Sequence, residues 1–199
     1  MIIGLTGTYC AGKNHVGAIL ENRGFPVLDV DKLGYKVLED EKETIFAQFG
    51  SDLQRADGLV DRQLLGQRVF GKPKELSALE AIVHPAANRL TDEWIIERTK
   101  AGDRTCVINA ALLHRSSVFQ KLDRIILVTA PYLIRLFRAQ RRDKLPWLQI
   151  IKRFSSQKNF NTQYLLKKAE IYRVENSGLA GFGNQKLENR IDKFIERIS

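Results

Sequence analysis

The eight residues Gly7-Thr8-Tyr9-Cys10-Ala11-Gly12-Lys13-Asn14 constrain this chain more than any other stretch. They fit G-x-x-x-x-G-K-[ST] at every position but the last. Such a loop wraps backbone N–H groups around phosphate oxygens, and its glycines permit the curvature. The lysine adds a point charge for the β- and γ-phosphates. A helix that starts where the loop ends aims its N-terminal dipole at the same anion. The flanks meet this demand. Ile2–Leu5 is an apolar run of the kind a buried strand shows. Asn14–Asn22 carries Val16, Ile19 and Leu20 on one helical face, and Gly24 ends it. Phe25–Val30 reads as a second strand. Strand, loop, helix and strand make a βαβ unit, which calls for a parallel sheet with helices on both faces.

The rest of the chain supplies further strands and helices. Thr105–Asn109 and Arg124–Thr129 read as the third and fourth strands, and Tyr172–Glu175 as a fifth. Asp31–Phe49 reads as one helix stopped by Gly50, followed by helices over Val60–Phe70 and Lys74–Ile82. Pro85 is expected to mark a break, with helix resuming from Ala86 to Thr99. Tyr132–Arg142 is a basic helix, Pro146–Lys168 a helix in two pieces, and Gln185–Ile198 a closing amphipathic helix. The expected fold class is α/β: a three-layer P-loop NTPase fold with a parallel five-stranded sheet, plus helical substrate-binding and lid insertions. The core is expected at about residues 1–58, 103–131 and 170–199, a helical acceptor-binding insertion at about 59–102, and a basic lid at about 132–169.

Composition narrows the function classes. A chain of 199 residues suffices for one sizeable core. No apolar run reaches the roughly 18–20 residues of a membrane span, and the N-terminus lacks the basic and apolar regions of a secretory leader. Cys10 and Cys106 make neither a disulfide framework nor a metal-ligand spacing. Free thiols of this kind suit a reducing compartment, so a cytoplasmic protein is expected. The net charge of +9 suits an anionic partner. Between Pro131 and Lys168 stand ten Lys or Arg residues against a single acid, Asp143, so much of the excess lies in one segment.

Three polar positions carry candidate chemistry. Asn14 stands where Ser or Thr would place a hydroxyl on Mg²⁺; its carbonyl oxygen is a hard-cation ligand, and it is equally suited to cap the helix. Asp29 and Asp31 close the second strand two residues apart, on one face if the strand extends that far. Ligands of doubly wound sheets bind at the carboxyl ends of strands, where a carboxylate can orient or deprotonate an attacking hydroxyl or hold magnesium-bound water. Asp31 also has the position of a helix N-cap.

At this point the sequence resembles the dephospho-CoA kinase family. The resemblance runs through Ile3-Gly4-Leu5-Thr6-Gly7 and its loop, then Asp29-Val30-Asp31-Lys32-Leu33-Gly34, then Gly58-Leu59-Val60-Asp61-Arg62 with Leu65-Gly66 and Val69-Phe70. His84-Pro85, Arg138 with Arg142-Asp143, Gln157, and Asn176-Ser177-Gly178 follow in order. Three departures stand out: Asn14; Ala111-Leu112-Leu113-His114-Arg115, which lacks a usual proline and acid; and Ala169-Glu170, where an Ala-Asp pair is usual.

The resemblance implies transfer of the γ-phosphoryl of ATP to the ribose 3′-hydroxyl of dephospho-CoA, with Mg²⁺. It implies Asp31, Lys13, Arg138 and Arg142 as catalytic residues, with Asp31 as base or orienter. ATP would be held by Gly7, Cys10, Ala11, Gly12, Lys13, Asn14 and His15, the last through its backbone N–H. Dephospho-CoA would be held by Asp29, Asp31, Arg62 and His84. Magnesium would sit on Asn14 and Asp29. Arg138 and Arg142 are four apart and share a helix face. Two polyanionic substrates also give the basic lid a reason.

No nucleic-acid partner and no membrane are expected, and the chain is expected to act as a monomer or weak homo-oligomer. Rival readings keep the loop and change the acceptor or the outcome. One is another small-molecule kinase acting on a nucleoside or nucleotide. A second is a non-catalytic nucleotide-binding homologue with a basic face. A GTP-dependent switch is disfavoured: Asp31-Lys32-Leu33-Gly34 follows the loop too soon, and Asn184-Gln185-Lys186-Leu187-Glu188 places Glu where a guanine reader has Asp.

Overall fold

The computed structural model describes residues 1–155, 169–178 and 184–198. Five strands form one parallel sheet in the order β2-β3-β1-β4-β5: β1 (Ile2–Gly7), β2 (Val27–Asp29), β3 (Cys106–Asn109), β4 (Arg124–Thr129) and β5 (Glu170–Glu175). The central strand, β1, pairs Ile3 with Val107 of β3 on one side, and Leu5 with Ile126 of β4 on the other. Strands buried on both faces read as unbroken apolar runs. Ile3, Leu5, Val107, Ile125, Ile126, Leu127 and Val128 all have no exposed surface.

The chain divides into two compact units, residues 1–28 with 98–199, and residues 29–97. The first contains the sheet. Helix α1 (Lys13–Asn22) buries Val16, Ile19 and Leu20, and the closing helix α8 (Asn184–Glu196) buries Leu187, Ile191 and Phe194. These six side chains share one core with Ile3, Leu5, Val128 and Val174. Truncating one of the larger members to Ala costs about 2–5 kcal/mol in cores of this kind. Also in this unit are α6 (Tyr132–Asp143) and α7 (Trp147–Ser155), joined through Ala139, Ile150 and Phe154, with Tyr9 and Cys10 packed on them.

The second unit is helical: α2 (Val30–Asp40), α3 (Lys42–Phe49), α4 (Arg62–Val69) and most of α5 (Pro73–Lys100). Its own core is Ile45, Phe49, Leu53, Val60, Leu65 and Val69, with Leu38, Leu79 and Ile82 against it. It begins at Asp29, well before the boundary expected near residue 59.

Four local expectations are corrected. The second strand stops at Asp29, and Val30 already starts α2. The Asp29 carboxylate accepts from the Lys32 N–H at 3.1 Å and is the N-cap; Asp31 lies in the first helical turn. A good cap ends a strand early because it satisfies N–H groups that the turn would leave orphaned. The single helix expected over Asp31–Phe49 is two, divided at Glu41, whose φ of −100° and ψ of 15° are not helical. Finally, α5 runs unbroken through Pro85. Proline removes one N–H, so the Ala81 carbonyl loses its i+4 donor. Packing of Ile82 into the unit's core and burial of Ala86 hold the turns on either side in register. The fifth strand begins two residues earlier than its apolar pattern suggests, because Arg124 on β4 pairs with Glu170. Gln157 and the second piece of the helix expected after Pro146 lie outside the described residues.

Candidate active site

In the first unit the loop between β1 and α1 has the geometry of an anion cradle, and its surroundings explain why. Gly7 pairs with Val128 at the end of β1, where a Cβ would approach the Val128 carbonyl oxygen to 2.8 Å. Gly12 has φ of 93°, and a Cβ there would run into the Asn176 side-chain amide. Both glycines are therefore required by space, the second also by backbone conformation. Cys10 adopts φ of 59° without being glycine. Left-handed backbone in such a residue costs roughly 1–2 kcal/mol and persists only where its surroundings impose it.

The imposing groups are visible. Three successive carbonyls are taken from outside the loop. Arg135 donates to the Tyr9 oxygen at 3.5 Å. Arg138 Nη1 donates to the Cys10 oxygen at 3.3 Å and the Ala11 oxygen at 3.1 Å. Asn176 Nδ2 donates to the same Ala11 oxygen at 2.9 Å. In a trans peptide the N–H of the next residue points away from the carbonyl, so these contacts aim the Cys10 and Gly12 N–H groups to the opposite side. Neither N–H donates to a backbone carbonyl among the described residues. The Thr8 hydroxyl oxygen is buried and has no hydrogen-bond partner there. Polar atoms left in this condition call for a ligand acceptor or donor.

Lys13 lies at the start of α1. Its ammonium donates to Asn109 Oδ1 at 2.9 Å and Asn14 Oδ1 at 3.1 Å, and Asn109 Nδ2 donates to Asn14 Oδ1 at 3.3 Å. The Asn14 oxygen thus accepts from two protein donors, so a cation bound there would displace or share them. Asn109 ends β3 and is 3% exposed. Sequence reading passed over it; the available signal was one polar residue closing an otherwise apolar strand. His15 donates its N–H to the Gly12 oxygen at 3.0 Å, within the first helical turn, and its side chain is exposed.

The basic helix α6 meets the loop through Arg135, Arg138 and Arg142. Arg138 Nη2 also donates to the Asn176 carbonyl and side-chain oxygens, each at 3.1 Å, and to the Gly178 oxygen at 2.5 Å. Its guanidinium therefore ties the loop to the end of β5, and burial pushes its pKa down. Arg135 stacks over the Phe154 ring at 4.9 Å, and burial has the same effect on it. Arg142 differs. Its hydrogen bond to Asp143 pushes its pKa up, and its Nη1 has no partner among the described residues.

In the second unit Asp31, Gly34, Tyr35 and Leu38 from α2, with Leu79, Glu80, Val83 and His84 from α5, line an open cavity of about 250 Å³. The cavity brings together Asp31 and His84, which are remote in sequence. The guanidinium of Arg62 lies 4.5 Å from the centre of the Tyr35 ring, a cation–π contact. Tyr35 and Glu80 were not foreseen; both follow from the helical spacing of Asp31 to Tyr35 and Glu80 to His84 once the two helices are known to face each other. Asp29 has one carboxylate oxygen on its cap. Among the described residues no three His, Cys, Asp or Glu side chains gather into a metal-binding group.

The dephospho-CoA kinase family profile matches residues 1–180. A dephospho-CoA kinase of Treponema pallidum is 32% identical over 98% of this chain and 94% of its own. A Thermus thermophilus protein of known structure superposes with a TM-score of 0.81 at 29% identity, covering 100% of this chain and 98% of its own. A Campylobacter jejuni dephospho-CoA kinase superposes with a TM-score of 0.65 at 24% identity, covering 100% and 97%.

Proposed function

This chain belongs to the dephospho-CoA kinase family, and from that premise we propose how its own residues carry out the transfer of the γ-phosphoryl of ATP to the ribose 3′-hydroxyl of dephospho-CoA. The observation that carries the reading is the loop whose carbonyls are held from behind, so that its N–H groups are set for phosphate before phosphate arrives. Phosphoryl transfer is mostly positioning and charge neutralisation. A site organised in advance supplies both without reorganising during reaction.

Gly7, Cys10, Ala11, Gly12 and Asn14 form the cradle for ATP, and the start of α1 through His15 directs its dipole there. Lys13 neutralises the β- and γ-phosphates. Arg138 keeps the loop's rim in shape, and Arg142 offers its outer guanidinium edge to the transferring group. In the second unit Asp31 orients the acceptor hydroxyl and accepts its proton. His84, Arg62 and Asp29 hold the rest of dephospho-CoA, with Tyr35 as a flat surface beneath Arg62.

Mg²⁺ fits the donor set. Asn14 would hold it through its carbonyl oxygen, and its charge would offset that of the phosphates. The protein works in the cytoplasm as a monomer or weak homo-oligomer; no helix among its described residues is long and apolar enough to cross a membrane.

The test is ADP release by the purified chain with Mg²⁺ and ATP, offering dephospho-CoA against a panel of nucleosides and nucleotides. ADP above background with dephospho-CoA alone is the expected result. Release with a nucleoside and not with dephospho-CoA would reassign the acceptor, and no release with any acceptor would remove the catalytic reading.

A further inference from the structure

We propose that Tyr9 and Asp143 are positioning residues for phosphoryl transfer, which hold Arg142 aimed before ATP binds; this rests on the reading of Arg142 as a phosphate-contacting residue. The starting observation is a carboxylate with an unusual number of donors. Asp143 ends α6, just before Lys144 turns into left-handed backbone with φ of 51°. Its side chain is 12% exposed. Arg142 reaches it with Nε at 2.6 Å and Nη2 at 3.3 Å. Arg153 of α7 reaches it with Nη1 at 3.1 Å, and the Tyr9 hydroxyl donates to it as well. Three of these four donors meet Oδ2 and one meets Oδ1, two of the three donor residues being charged arginines, so the carboxylate serves as an anchor for donors rather than as a base. Its hydrogen bond to Arg142 holds its carboxyl below the usual range, and it stays ionised at neutral pH.

What these contacts fix is the direction of Arg142. One edge of the guanidinium, Nε with Nη2, is occupied by the carboxylate, and its Cζ lies 5.2 Å from the centre of the Tyr9 ring. Paired donation to a carboxylate locks a guanidinium's orientation as well as its place. A long arginine held in this way loses less rotamer freedom when it meets a phosphate. Tyr9 is itself the third residue of the phosphate loop. The aim of Arg142 is therefore referred to the loop that holds the nucleotide, not only to its own helix.

The Tyr9 hydroxyl does something that packing does not require. The ring alone accounts for the apolar contacts: it meets Phe154 edge-on at 5.3 Å and joins the cluster of Ala139, Ile150 and Phe154. The hydroxyl adds the bond to Asp143 and accepts from Arg153 at 3.3 Å. Tyr9→Phe therefore keeps the packing and removes only the polar tether.

The experiment is a double-mutant cycle on the full chain, read as ADP release with ATP and dephospho-CoA. Arg142→Ala is expected to lower kcat about a hundredfold, in line with loss of a charge that stabilises the transition state. Tyr9→Phe is expected to lower kcat about three- to tenfold, with the KM for ATP changed less than about twofold and the melting temperature unchanged. In the Arg142→Ala background Tyr9→Phe should cost nothing further. An equal loss in both backgrounds, or wild-type kcat in Tyr9→Phe alone, would overturn the proposal while leaving Arg142 in its role. Wild-type turnover in Arg142→Ala would overturn the role of Arg142 and this proposal together. Asp143→Asn, which removes the charge facing Arg142 and Arg153, should repeat the pattern of Tyr9→Phe with a larger loss; if its loss persists in the Arg142→Ala background, the positioning role of Asp143 fails.

Discussion

The phosphate loop and the helical cavity are built on opposite plans. The loop of the first unit is dense in hydrogen bonds: one asparagine and two arginines hold three successive carbonyls, and Lys13, Asn14 and Asn109 close a second network. The cavity of the second unit is open and walled by Tyr35, Leu38, Leu79 and Val83, with Asp31, Glu80 and His84 as its polar groups. Under the proposed function the difference follows from the ligands. A triphosphate presents the same oxygens to every enzyme that binds it, so a rigid array of backbone donors suits it. An acceptor is recognised by shape and a few polar contacts, which an apolar cavity with placed side chains supplies.

That contrast can be broken by experiment, and the largest effect is expected in the loop. Lys13→Ala should reduce turnover at least about a thousandfold, because nothing else among the residues of the loop carries a full positive charge. ADP release under saturating ATP is the measurement. Next is Asp31→Asn, expected to lower kcat about a hundredfold as a general base or orienter is lost. ATP binding, followed by a fluorescent nucleotide analogue, should remain at its wild-type affinity. Weakened ATP binding in this variant would break the division of labour between the units.

His84→Ala should raise the KM for dephospho-CoA about tenfold, equivalent to about 1.4 kcal/mol, and leave the KM for ATP unchanged. A matching rise for ATP would mean that the cavity does not serve the acceptor. Asn176→Ala removes a buried amide that spans the loop and Arg138 and leaves their polar atoms unsatisfied. It should cost about 1–3 kcal/mol, or a few degrees of melting temperature in a chain of this length, and it should weaken ATP more than the acceptor.

The smallest expected effect is on acid stability. The Asp143 carboxyl is held below its ordinary value by Arg142, so its contribution is fully present above an unfolded carboxylate pKa of about 3.9. It is lost as pH falls through the lower folded value. Asp143→Asn should therefore lose stability near neutral pH and show a flatter acid limb in a urea titration from about pH 5 to pH 2; a limb as steep as that of wild type would show that the carboxylate contributes nothing.

The two regions also differ in how far they could be read from sequence. The loop was legible because its requirements are local: glycine spacing, a lysine, a strand before and a helix after. The same holds for β4, whose bounds Arg124–Thr129 match its apolar run. In the second unit the helices were recognisable but their ends were not. The Asp29 cap and the persistence of α5 through Pro85 depend on what each turn packs against, and propensity does not contain that information. Asn109 went unread because a polar residue closing a strand acquires meaning only when the neighbouring strand is known to end in Lys13's loop.

By itself the amino-acid sequence determined the βαβ opening, the phosphate loop and the order of blocks that marks the family, because each depends on residues near one another along the chain. The tertiary structure decided how those residues are used. It placed Arg138 and Asn176 on the loop's carbonyls, joined Tyr9 to Asp143, and set Asp31 and His84 around one cavity. The physical reason is that a side chain's hydrogen bonds go to whatever the fold brings within about 3 Å of it, and chain position alone does not say what that will be.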